Sequence, residues 1–93
     1  MKYYVYIIKS NFDGTFYIGQ TNNLKDRLNR HNQGSVKSTK SKTPYYLCYF
    51  EEYETRAKAM IREFEIKKKY NKSRREKLVS TFDKSKIKNI LGL

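Results

Sequence analysis

The order of local signals predicts an α+β domain, β-β-α-β-α-α, ending in a short helical tail. Two β-branched and aromatic runs, Tyr3 to Lys9 and Thr15 to Gln20, flank an Asp13-Gly14 turn signal, which is the punctuation of a hairpin. A third such run, Tyr45 to Tyr53, follows Pro44. Elsewhere the apolar residues return at helical spacing between good capping residues. A chain of 93 residues supplies one core and not two. A single domain over 1–93 is therefore expected, with its core at about 3–80 and its tail at 81–93.

The first run is too short for a buried helix and apolar enough on both faces to be the central strand. A two-residue Asp13-Gly14 turn pairs Phe12 with Thr15. Tyr4, Tyr6 and Ile8 then share a face with Thr15, Tyr17 and Gly19. Asn22 or Asn23 caps a first helix that runs to about Asn32, with Gly34 as its stop. On that helix Arg27 and His31 fall within about 60° of Leu24, flanking the Leu24–Leu28 stripe where a merely solvated charge is not expected. Ser35 to Thr43 is a polar, basic loop closed by Pro44, ahead of the third strand. Thr55 opens a second helix that continues to about Tyr70. Its main apolar stripe, Ala57, Met60, Ile61 and Phe64, is expected to face the core, and Ala59, Glu63, Ile66 and Tyr70 form a nearly opposite second stripe. Ser73 and Glu76 read as a capping box opening a third helix with Leu78 and Val79. Asp83 caps a short terminal helix carrying Ile87, Ile90 and Leu91, stopped by Gly92.

Composition narrows the function. Lys and Arg number 21 against nine Asp and Glu, a net charge of +12. Such an excess disfavours compaction and points to a polyanionic partner. Hydrophobic residues make up 38% of the chain and aromatics 15%, which speaks against disorder. The lone cysteine, Cys48, excludes a disulfide framework and a cysteine-based zinc site, and reads as a small hydrophobe. No apolar run approaches a membrane span, and the N-terminus lacks the pattern of a signal peptide. The expectation is a cytoplasmic domain that meets nucleic acid, with an acidic protein as the alternative partner, as a monomer or weak dimer with no disulfide-linked partner.

The chemistry-bearing residues fall in a recognisable order. Tyr4-Val5-Tyr6 precedes Tyr17-Ile18-Gly19-Gln20-Thr21-Asn22-Asn23-Leu24, which is followed by Arg27-Leu28, His31-Asn32 and Gly34. Pro44 stands before the third strand, and Arg62-Glu63 with Ile66-Lys67 lie on the second helix. This series, over about residues 3–80, resembles the GIY-YIG nuclease superfamily, and in particular its small stand-alone bacterial members. Tyr4 departs from the first glycine of that name, and Val36-Lys37-Ser38-Thr39-Lys40 departs from an aromatic-Thr-Arg segment common among the relatives.

The resemblance implies a three-stranded antiparallel sheet flanked by helices, and metal-dependent hydrolysis of DNA phosphodiesters in single-stranded or structured substrates. RNA lies within the same chemistry. It implies that Glu63 holds one hard cation, Mg²⁺ or Mn²⁺, and that Arg27 forks onto the phosphate oxygens of the transition state. His31 relays a proton or orients a tyrosine. Tyr6 is implied as the group that activates water, with Tyr17 supporting it or positioning the phosphate. An ordinary tyrosine pKa near ~10 suits a base poorly at neutral pH, so Arg27 and the cation have to lower it. Lys37, Lys40, Lys42, Lys67, Lys68 and Arg74 are candidate phosphate contacts. Read singly, Glu63 pairs with Lys67 one helical turn on, and Gly19 marks a bulge or close packing. The rival to catalysis is a nucleic-acid-binding module that keeps the fold. The hairpin register poses one difficulty: Tyr6 falls opposite Thr21, roughly 13 Å along the strand from Tyr17.

Overall fold

In the computed structural model, which describes residues 1–93, the first strand, β1 (Tyr3–Ser10), lies in the middle of a three-stranded antiparallel sheet of order β2-β1-β3. β2 is Phe16–Thr21 and β3 is Tyr45–Tyr53. Helix α1 (Leu24–Asn32) follows β2, α2 (Arg56–Lys69) follows β3, and α3 (Lys72–Ser80) and α4 (Lys84–Leu91) complete the chain. The predicted α+β class is the observed one. No helix is long and apolar enough to cross a membrane.

β1 is central because both of its faces are apolar. Val5 and Ile7, with Ile18, Cys48 and Tyr49, pack against Ala59 and Ile66 of α2 and Leu78 and Val79 of α3. Tyr6 and Ile8, with Leu47, pack against Leu24 and Leu28 of α1 and Ile87, Ile90 and Leu91 of α4. The sheet is thus a middle layer with helices on both sides. Ile7 pairs with Tyr49 while Ile8 pairs with Leu47, so Cys48 is the extra residue of a bulge. Its thiol is buried and donates to Ile7 O at 3.3 Å.

The hairpin register differs from the two-residue turn by two positions. Tyr6 pairs with Gly19 and Tyr4 with Thr21. Ser10 is the cause: its buried hydroxyl accepts from the backbone N–H groups of Phe12 (3.1 Å) and Asp13 (3.2 Å), and Ser10 N donates to Thr15 O at 2.8 Å. Asp13-Gly14 therefore sits inside a longer loop, with Gly14 at φ +77°. A slip of two keeps every side chain on its expected face.

The orientation of α2 reverses the expectation. Ala59 and Ile66 are fully buried, whereas Met60 (51%), Ile61 (68%) and Phe64 (58%) are exposed. The stripe containing Glu63 is the one that meets the sheet. Small Ala59 lets the helix axis come close. Arg62 then fastens it to β3 through a two-pronged bond to Glu51, Nε to Oε1 at 2.8 Å and Nη2 to Oε2 at 3.0 Å. Tyr49 and Tyr53 also donate to the Glu51 carboxylate. α1 is capped by Asn23, whose side chain accepts from Asp26 N, and Gly34 takes a left-handed conformation beyond its end. The Ser73–Glu76 capping box does not form. Tyr70 is already extended and Asn71 caps α3, accepting from Arg74 N at 2.9 Å. Asp83 caps α4 and Gly92 ends it in the left-handed region, as expected.

Candidate active site

Tyr6 projects from β1 across its β2 neighbour, and Gly19 is what allows it. A β-carbon at Gly19 would sit 2.6 Å from Tyr6 Cζ and closer still to the hydroxyl. Gly19 is therefore required for room, and the ring lies over its bare backbone. The Tyr6 hydroxyl reaches His31 Nε2 at 2.8 Å. His31, in the last turn of α1, is fully buried, with the rings of Tyr17, Tyr6 and Tyr45 at 5.0, 5.8 and 6.1 Å between centroids. The observed register removes the expected separation of the two tyrosines. Tyr17 lies diagonally from the Tyr6–Gly19 pair, and the ring centroids are 6.4 Å apart.

The other ring nitrogen of His31 meets the hydroxyl of Thr39 at 2.8 Å. Thr39 is fully buried, and its hydroxyl also lies 3.3 Å from Val36 O. Nothing local in the sequence singles it out: it is one of several small polar residues in a basic loop. Pinning both ends of that loop brings it in. Asn32 donates to Tyr45 O (2.9 Å) and accepts from Tyr45 N (2.6 Å), while Ser10 donates to Lys42 O (2.6 Å).

The electrostatics of the pair are those of a dry pocket. Burial first, then the charge of Arg27, pushes His31 down to about 4. Burial also pushes the Tyr6 hydroxyl up to about 12; the adjoining Arg27 works against this, and the charges of Tyr17 and Glu63 add to it. At neutral pH both groups are uncharged. Arg27 lies one helical turn before His31, and its Nε is buried with no partner within the protein. A guanidinium N–H left without an acceptor is costly unless an anion completes it.

Glu63 stands at the sheet-facing rim of α2, partly buried, with Lys67 Nζ 3.1 Å away. Lys67 Nζ in turn lies 5.8 Å from the centre of the Tyr17 ring. Carboxylate, ammonium and Tyr17 therefore follow one another along the β2 edge. No three His, Cys, Asp or Glu side chains gather into a metal cage.

The basic candidates divide. Lys37, Lys40 and Lys68 are exposed and make no ion pair. Lys42 pairs with Asp13 at 3.4 Å, Lys67 with Glu63, and Arg74 lies 3.8 Å over the Tyr70 ring. A groove of about 530 Å³ between the hairpin loop and α3 adds Lys9, Lys72 and Arg75, together with Asp13 and Glu76, to the charged surface. The net charge signalled such a surface without locating it.

The model of the GIY-YIG catalytic domain matches residues 2–77. The chain is 38% identical over 80 residues to the UPF0213 protein SSP2268 of Staphylococcus saprophyticus, an overlap of 85% of this chain and 95% of that one. It is 38% identical over 78 residues to a UPF0213 protein of Staphylococcus aureus, covering 83% and 93% of the two chains. The solution NMR structure of the UPF0213 protein BH0048 from Bacillus halodurans is similar to it with a TM-score of 0.55 at 32% identity, over 86% of this chain and 84% of that one. Matched over most of its length in both sequence and fold, the chain belongs to the GIY-YIG catalytic domain family, beside the small bacterial UPF0213 proteins.

Proposed function

We propose that this protein is a metal-dependent endonuclease that hydrolyses DNA phosphodiesters at the β2 edge, with single-stranded or structured DNA as its substrate class. The observation that carries the reading is the buried 2.8 Å Tyr6–His31 hydrogen bond beside an Arg27 whose Nε has no acceptor. A phosphodiester needs an activated water, an electrostatic partner for the phosphorus oxygens and a route for protons. Tyr6 takes the proton of the attacking water as its own proton moves to His31. The water's oxygen forms the new bond to phosphorus while the bond to the leaving oxygen breaks; that oxygen takes a proton from solvent water, and His31 releases its own proton to solvent as the site resets. Arg27 donates to the non-bridging oxygens, and Tyr17 orients the phosphate.

Glu63 suits a single Mg²⁺ or Mn²⁺. Such an ion needs only one or two carboxylates, because it keeps waters and takes phosphate oxygens. The charge of Glu63 reaches Tyr6, and Lys67 would give up its ion pair to the cation. When bound, the cation supplies charge neutralisation at the phosphate and eases ionisation of a neighbouring water.

One observation favours a second reading, a binding module without catalysis: the Glu63–Lys67 pair already neutralises the carboxylate. Nicking of supercoiled plasmid and cleavage of labelled single strands with Mn²⁺, with and without EDTA, separate the two. Cleavage abolished by EDTA and by Glu63→Gln, with DNA binding retained, is expected. Equal cleavage by Glu63→Gln at saturating Mn²⁺ would remove Glu63 from the site. Binding without any cleavage over a panel of single-stranded, branched and duplex DNA would leave the module.

A further inference from the structure

We infer that Thr39 is a positioning residue: its hydroxyl fixes His31 with the proton on Nδ1, leaving the Nε2 lone pair to receive the proton of Tyr6. This rests on the nuclease reading for its purpose, but its geometry stands apart from it. Two proton arrangements are open to the chain Tyr6–His31–Thr39–Val36. In the first, His31 Nδ1–H donates to Thr39 Oγ1 (2.8 Å), Thr39 donates to Val36 O (3.3 Å) and Tyr6 donates to Nε2 (2.8 Å). In the second, Thr39 donates to Nδ1 and Nε2–H donates to Tyr6. Tyr6 is almost wholly buried and His31 is the one hydrogen-bonding partner of its hydroxyl. The second arrangement therefore leaves the Tyr6 O–H without an acceptor, and a buried unpaired donor is strongly disfavoured.

The tautomer of a histidine is set by whatever its other nitrogen bonds. Many bases of this kind are oriented by a carboxylate, which also raises their affinity for a proton. A threonine orients the ring without adding charge. Around His31 stand Tyr6 of β1, Tyr17 of β2, Arg27 of α1 and Tyr45 of β3, and Glu63 of α2 acts through Tyr6. None of these next to the ring is an anion. His31 thus stays neutral at rest, and returns the proton it receives.

His31 is the only histidine, so its two ring nitrogens can be read without assignment ambiguity in a long-range ¹H–¹⁵N spectrum. The parent and Thr39→Ser should both show Nδ1 protonated and Nε2 bare. Thr39→Val, the same shape without the hydroxyl, should show the other tautomer or a mixture while keeping the parent's backbone fingerprint. In plasmid nicking with Mn²⁺, Thr39→Val should lose kcat by ~10–100-fold, as for other residues that orient a reacting group. KM should change little, the acid limb of the pH profile should shift, and Thr39→Ser should restore the rate. A parent with Nε2 protonated, or a Thr39→Val spectrum identical to the parent's, would overturn the assignment. So would a Thr39→Val enzyme of parental kcat. A parent with the expected tautomer that cleaves nothing would support the assignment and overturn the nuclease reading.

Discussion

A β-carbon at Gly19 would lie 2.6 Å from Tyr6 Cζ, so Gly19→Ala forces either the ring or the edge strand to move. Overpacking of this kind costs ~1–3 kcal/mol. The ring that moves is the one bonded to His31, so the variant should lose cleavage as fully as Tyr6→Phe while also unfolding at lower urea than Tyr6→Phe. Equal activity of Gly19→Ala and parent would show that Tyr6 does not need its path across β2. Arg27→Ala removes the unpartnered Nε and should lower kcat by ~10²–10³, the usual loss for one such electrostatic donor. Arg27→Lys should recover little, because an ammonium cannot reproduce a planar fork. A lysine variant at the parental rate would make Arg27 an ordinary surface contact. At this scale much of the candidate site was legible. Arg27 and His31 share a helix face by their spacing, and the Tyr-Ile-Gly run places a tyrosine and a glycine on one side of a strand. Thr39 was not legible, because its role depends on two loop ends pinned by Asn32 and Ser10, residues with no local pattern in common.

α2 shows where periodicity stops deciding. Two apolar stripes lie on nearly opposite sides, and the richer one, Met60, Ile61 and Phe64, faces solvent. Tertiary bonds chose the other: Arg62 of α2 grips Glu51 of β3, and Ala59 with Ile66 fills the space beneath. Sequence spacing could not report which stripe a long-range ion pair selects. The stability of variants should follow burial and not hydrophobicity. Ile66→Ala should cost ~2–5 kcal/mol, as for other buried deletions, whereas Ile61→Ser and Phe64→Ser should each stay within about 0.5 kcal/mol. Urea unfolding of the three variants checks this, and a large loss at Ile61 or Phe64 would mean that the exposed stripe is covered in solution. The hairpin taught the same lesson on a smaller scale. The alternation of β1 and β2 was read correctly, and the register was not, because the Ser10 hydroxyl builds a loop that Asp13-Gly14 alone does not specify.

Across the whole molecule, a charge of +12 is spread over lysines that differ in how free they are. The charge itself was plain in the sequence, but the pairing of Lys42 with Asp13 and of Lys67 with Glu63 was visible only once the chain had folded. This changes which residues should dominate binding to a phosphate backbone. Each phosphate neutralised by a free lysine releases condensed counterions, so the slope of log K against log salt is about −0.7 to −0.9 per contact. A lysine already paired with a carboxylate brings less, since its partner must be left unpaired or carried into the complex. Replacing Lys37, Lys40 and Lys68 with glutamine should therefore flatten the slope by roughly two to three contacts' worth. Replacing Lys42 alone should leave the slope nearly unchanged and instead loosen the hairpin loop that Asp13 anchors. Filter or anisotropy titrations of labelled single strands, without divalent cation and over a tenfold range of salt, measure both slopes. If the triple variant keeps the parental slope, the phosphate path lies elsewhere, and the groove lined by Lys9, Lys72 and Arg75 is the next surface to substitute. A parent whose association ignores salt would remove the polyanion altogether, and with it the reason for carrying so much charge.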